Sequence, residues 1–242
     1  IPLNDTVNIG DTATVAVFYG GTPIKDGSGF GGFYFSAAYA YNLGVAINGN
    51  PPSFGRSWFP CIDSFTDKAT YDLKVLTTLP KFAVSGGELI GFYPNLVDNT
   101  ILSHWRINQE IPTYLMSVAV SDYIKIEKTH TGIYGQMPIE IYVRSSDSAK
   151  AISSFVNIEQ ILAAFESRFG PHKWPKVGYV GVPFNGGAME HAMNIAYPLF
   201  AINGNLQYES LLAHELAHSW FGNLVTCATA PEMWINEGWA VF

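Results

Sequence analysis

A chain of 242 residues with 48% hydrophobic and 14% aromatic residues is not intrinsically disordered, and it is long enough to bury a core without disulfide or metal staples. Only 14% of its residues are charged, and 13 basic against 20 acidic residues give a net charge of -7. That balance, with no basic run, makes the chain a poor candidate for a nucleic-acid binder or an anionic-membrane binder.

Up to about residue 143 the chain reads mainly as strands. Residues 11–19, Gly32–Phe35, 71–76, 113–120 and 139–143 carry the two-residue alternation of half-buried strands. Gly, Asn and Pro turns between them predict an antiparallel sheet or sandwich. Residues 27–55 hold no charge, but Gly, Asn, Ser and Pro interrupt them, so no membrane span is expected there.

The pattern changes near Arg144. Residues 145–169 read as one helix, with Ser145 or Ser146 at its N-cap and apolar residues at three- and four-residue spacing. Gly170-Pro171 ends it. A strand is expected at residues 177–182, then a glycine-rich stretch at 185–188. A helix over residues 208–221 and another starting near Pro231 complete the pattern. The expectation is a β-rich domain over residues 1–143 and the beginning of an α/β domain over 144–242. The chain opens at Ile1-Pro2 and closes at Phe242 within an apolar, helix-like run, so it is expected to be a piece of a longer protein. Any localisation signal would then lie outside it.

Cys61 and Cys227 cannot form a disulfide framework, and two free thiols are expected rather than one bridge. His104, His130 and His172 have no ligand spacing and are expected to be satisfied or surface histidines.

His214-Glu215-Leu216-Ala217-His218 is the strongest chemical signal. On a helix its two histidines sit one turn apart on one face and can reach one ion. Neutral imidazoles suit Zn²⁺, which takes three protein ligands at a catalytic site and leaves a fourth position for water. Glu215, next to the first ligand, can act as general base on that water and pass the proton to a leaving group. Glu237 follows His218 after 18 intervening residues, on the next predicted helix, where it can supply a third, carboxylate ligand. Glu232 and Glu209 are candidates to orient the ligating histidines, although solvated surface positions suit both. Trp220, Trp234 and Trp239 read as packing residues.

These motifs resemble the zinc aminopeptidases of the aminopeptidase N and leukotriene hydrolase type. The resemblance rests on His214-Glu-Leu-Ala-His218 with Glu237, on Trp220-Phe-Gly-Asn-Leu-Val-Thr226 and on Trp234-Ile-Asn-Glu-Gly238. Gly187-Ala-Met-Glu-His191 resembles the family's G-x-M-E-N exopeptidase motif. Arg56-Ser-Trp-Phe-Pro-Cys-Ile-Asp63 with Lys68-Ala-Thr-Tyr71, and Pro112-Thr-Tyr-Leu115 with Asp122-Tyr123, resemble segments of its first domain.

The resemblance implies an α+β chain, with a saddle-like β-rich N-terminal domain followed by the first part of a thermolysin-like α/β zinc-peptidase domain. It implies one Zn²⁺ held by His214, His218 and Glu237, Glu215 as general base, and a peptide substrate with a free N-terminus. Glu190 would bind the substrate's α-amino group, and Gly187 and Ala188 would line the cleft. On the residues alone, Glu190 reads equally well as a carboxylate at a helix N-terminus.

Three departures stand out. His191 replaces the motif's Asn. A neutral imidazole can replace some of the amide's hydrogen bonds, whereas an imidazolium would add a charge beside the amine site, so the position is expected to tune specificity or pH dependence. Pro51 stands where the family has a Gln or Glu as a further amine ligand. No tyrosine follows Tyr208, so the family's transition-state tyrosine has no counterpart here, and a missing C-terminal remainder is expected. Two other readings stay open: epoxide hydrolysis on the same fold, and an inactive peptide-binding fragment.

Overall fold

The computed structural model describes residues 6–241. Three sheets and a small set of helices make up the architecture. The first sheet is antiparallel, in the order β1 (Gly32–Phe35), β2 (Ala40–Leu43), β7 (Ala119–Ser121), β4 (Phe82–Val84). The second joins β3 (Lys68–Thr78), β6 (Thr100–Pro112) and β5 (Glu88–Asn95), also antiparallel. Along β3 every second residue faces the interior, as the alternation of residues 71–76 predicts.

The third sheet has the order β11 (Ile195–Pro198), β10 (Val177–Val182), β9 (Gly135–Arg144), β8 (Tyr123–Gly132). β8 and β9 form an antiparallel hairpin, whereas β10 pairs parallel to β9 and to β11. Arg144 ends β9, so two strands of this sheet precede residue 144 and two follow it. A parallel neighbour needs a crossover. Here α1 (Ser148–Ser154) and α2 (Ile158–Phe169) make it, covering one face of the sheet together with α3 (Glu209–Ala217). All six residues of β10 are buried, which explains its uninterrupted apolar run. α4 (Met233–Val241) follows a short 3₁₀ turn at Ala230–Glu232.

Two cores result. One lies between the first two sheets and a face of the third and includes Tyr41, Trp105, Tyr114, Val180 and Met189. The other lies between the third sheet and the helices and includes Ile141, Phe155, Tyr179, Leu212 and Leu216. Among the described residues no helix is long and apolar enough to cross a membrane.

Three expected elements differ. Residues 11–19 form no strand: their backbone is irregular and every side chain is exposed, Phe18 at 95%. Alternation needs a surface to face, and among the described residues Val15 and Val17 stay 52% and 48% exposed. Residues 113–120 form a 3₁₀ turn at Thr113–Leu115 and only the start of β7, because residues 111–119 are buried on all sides. The single helix expected over 145–169 is broken at Phe155–Asn157. Phe155 packs its ring between Tyr179 and Tyr197, while Asn157 turns its amide to Glu209.

The Arg56 to Asp63 motif is a clamp on a turn. Arg56 pairs with Asp63 at 2.9 Å, and the same carboxylate accepts from the backbone of Gly55 and Arg56 and from Thr113 Oγ1. Arg56 also donates to the carbonyl of Pro51 at 3.0 Å, the position lacking the family's side-chain acceptor. Cys61 and Cys227 are free and partly buried, and burial together with Asp63 pushes the Cys61 thiol up to about 12. His104 and His130 meet Asp72 and Glu166, and His172 lies against the Trp174 carbonyl, so all three are satisfied internally.

Candidate metal centre

The apolar face of α3 fixes the motif. Leu212, Leu216 and Ala217 are buried, which turns His214 and His218 towards α4. The helix is shorter than the periodicity predicts. It ends at Ala217, and His218 follows in right-handed conformation, so the one-turn spacing is kept. The chain then folds back through a tight turn, with Gly222 N–H donating to Val225 O and Asn223 N–H to His218 O. On the other side, a capping box between Thr229 and Glu232 starts the 3₁₀ turn that leads into α4, which presents Glu237.

His214, His218 and Glu237 converge, their candidate donor atoms all within 4.8 Å of one another. The two Nε2 atoms are 3.1 Å apart, and Glu237 Oε2 lies 3.3 Å and 3.7 Å from them. Metal–nitrogen bonds of 2.0–2.1 Å in a tetrahedral site put two nitrogens about 3.3 Å apart, so the pair is already at ligand spacing. His218 Nδ1–H donates to Asn236 Oδ1 at 2.6 Å and to Phe221 O at 3.0 Å. Both partners are acceptors, which puts the proton on Nδ1 and leaves the Nε2 lone pair facing His214.

The electrostatics fit a cation. Glu215 is buried, and burial, followed by the charges of Glu190 and Glu237, holds its carboxyl well above the usual range. Glu190 is buried and raised for the same first reason, with His218 pulling the other way. Its hydrogen bond to His214 keeps Glu237 low, and the same bond raises His214. Three carboxylates around two imidazoles repel one another, and a dication at the donor set relieves that repulsion. The Glu237 side chain remains 53% exposed, so the cluster opens to solvent on one side.

Glu190 sits in a loop, not at a helix N-terminus, which removes the dipole reading of its position. Paired backbone bonds between Met189 and Ala196 brace this loop, and Asn223 Nδ2 donates to Glu190 O at 2.9 Å. Gly187 and Ala188 are half-buried just before it, Gly187 at φ +133 with the Phe30 ring beside it. His191 is fully buried, and its Nε2 lies 3.4 Å from the Asn42 side chain on β2. Burial lowers its pKa to about 3, which favours the neutral imidazole over the imidazolium near neutral pH.

Neither Glu232 nor Glu209 orients the histidines. Glu232 is spent on the capping box and Glu209 on Asn157. The residue that does so, Asn236, directly precedes Glu237. Its place inside Trp234-Ile-Asn-Glu was the available signal, but a lone Asn carries no spacing rule. Asn223 went unassigned for the same reason. Trp220 is buried and donates to Gly170 O, whereas Trp234 is exposed and Trp239 stacks on Phe221.

Comparison with known proteins places these features in context. The model of the Peptidase M1 N-terminal domain matches residues 5–115, and that of the Peptidase family M1 domain matches residues 154–242. Glutamyl aminopeptidase of Rattus norvegicus is 29% identical over 82% of this chain and 22% of its own length. Endoplasmic reticulum aminopeptidase 1 of Homo sapiens is 28% identical over 97% of this chain and 26% of its own. A leukotriene A-4 hydrolase homolog of Botryotinia fuckeliana is 29% identical over 77% and 29%. The chain thus spans under a third of the length of these relatives. An M1 zinc metallopeptidase mutant from Deinococcus radiodurans, solved with a Tyr-Ser-Ala substrate, superposes with a TM-score of 0.78 at 22% identity. That match covers 91% of this chain and 49% of the other, and shows the shared fold.

Proposed function

The chain belongs to the M1 peptidase family, and from that premise we propose that it carries the metal centre and the amine-recognition loop of a zinc-dependent aminopeptidase. The observation that carries the reading is the convergence of His214, His218 and Glu237 beside two buried carboxylates, Glu215 and Glu190. His214, His218 and Glu237 would hold one Zn²⁺, which when bound polarises a carbonyl and lowers the pKa of water towards about 7.

The remaining work falls to the protein. Glu215 takes a proton from the attacking water on its carboxylate and returns it to the leaving amine. Its buried environment favours the protonated form that this shuttle needs part of the time. Glu190 pairs with the α-ammonium of the substrate. A carboxylate withheld from water binds an ammonium strongly and leaves a blocked N-terminus without a partner. The distance from that carboxylate to the metal then selects the first peptide bond. The backbone of Gly187 and Ala188 lines the approach, and His191 holds the loop against β2.

In the full-length protein, Glu215→Gln should retain stoichiometric zinc and lose at least about a thousandfold in turnover of aminoacyl anilides. Activity kept at the wild-type level would remove Glu215 from the mechanism. Parallel assays with an aminoacyl anilide and an epoxide substrate separate peptide from epoxide hydrolysis. Zinc binding without either activity would support the inactive peptide-binder reading.

A further inference from the structure

The amine-binding and metal-binding halves of the site lie on different elements. Glu190 is on the loop between β10 and β11, and the histidines are on α3 and just beyond its end. An exopeptidase is only as selective as the distance between those halves is fixed. One side chain bridges them. Asn223 donates its backbone N–H to His218 O at 3.0 Å and its side-chain Nδ2 to Glu190 O at 2.9 Å. It is 4% exposed, so neither bond competes with bulk water.

The turn that carries Asn223 is itself held. Val225 N–H donates to Trp220 O, Gly222 N–H to Val225 O, and Thr226 Oγ1 to Asn223 O. Tyr114 of the first core reaches Gly222 O at 3.4 Å. The other end of the strut is equally fixed: Met189 is doubly bonded to Ala196, and Ala192 N–H donates to Leu115 O. Asn223 Oδ1 is buried without a partner.

We infer that Asn223 is a positioning residue that sets the spacing between the amine-binding carboxylate of Glu190 and the zinc-holding histidines. The inference rests on the aminopeptidase reading above. Asn223 touches no substrate; it acts through the backbone of the two residues that flank the substrate's first bond.

The test uses full-length, zinc-loaded protein and two probes: an α-amino hydroxamate and the same hydroxamate without its amine. Wild-type protein should bind the amino compound much more tightly. Asn223→Ser, which keeps a short donor, and Asn223→Asp, which is isosteric but cannot donate while ionised, should both keep zinc and bind the des-amino probe unchanged. Asn223→Asp should lose roughly 3- to 10-fold in affinity for the amino probe, with Asn223→Ser in between. KM for aminoacyl anilides should rise more than kcat falls. Equal affinity ratios in wild type and Asn223→Asp would overturn the positioning role. If wild type itself did not distinguish the two probes, the aminopeptidase reading would fail instead. A uniform loss for both probes would mark Asn223 as merely structural and overturn the inference.

Discussion

Asn236 fixes the proton of His218, the proposed metal ligand. By accepting from His218 Nδ1 it fixes the tautomer, and its 2% exposure keeps water from substituting. Asn236→Ala should lower zinc affinity by about 10- to 100-fold, measured by competition with a chromogenic chelator. His191 and His172 make a different statement at this scale. Burial depresses their pKa values to about 3 and about 4, below the unfolded value of 6.5. Between those limits the unfolded chain binds more protons, so each histidine contributes stability that is complete above about pH 6.5. That contribution is lost as pH falls towards the folded values. His191→Asn should therefore flatten the acid side of a melting-temperature profile from pH 6.5 to 3, leaving the pH dependence of turnover near neutrality unchanged.

Among elements, the turn after α3 is the most constrained. Gly222 has φ +124, and a Cβ there would stand 2.5 Å from Asn236 Oδ1. Gly222→Ala should destabilise by roughly 1–3 kcal/mol and lower zinc retention, because relief of the clash displaces the His218 partner. Calorimetry and metal analysis on one sample would read both. The elements legible in the sequence were those whose pattern matched what covers them. β3 alternates and is covered on one face; β10 is apolar throughout and is covered on both. The histidine pair was legible because it needs only helical geometry between residues four apart. The segments at residues 11–19 and 113–120 share the alternation of β3, but a period of two says nothing about whether a partner surface exists. The break at Phe155–Asn157 was illegible because its cause, two tyrosines on β10 and β11, lies more than twenty residues downstream. Asn223 and Asn236 act only through contacts made in the fold.

Across the whole molecule, a buried cation ties the sheets together. Lys176 is 5% exposed, pairs with Glu140 of β9 at 2.8 Å and lies over the Trp105 ring of β6 at 4.6 Å. Removing Lys176 takes away the nearest cation of Glu140 and leaves it Lys125 at 3.5 Å. Lys176→Met should cost about 3 kcal/mol in urea unfolding, and adding Glu140→Gln should recover part of it.

The donor set also has a place in the order of synthesis. His214, His218 and Glu237 all come after β11, the last strand of either core. By the time a ribosome has made the first ligand, the surface that α3 docks on is already encoded in the emerged chain. The strands of the described sheets thus precede all three proposed ligands, and the sheets are expected to form without the ion, unlike the fold of a zinc finger. Stripping the metal with a chelator should leave the circular dichroism of the sheets intact. The unfolding free energy should fall only by mass action, on the order of 3 kcal/mol relative to a hundredfold excess of free zinc over its dissociation constant.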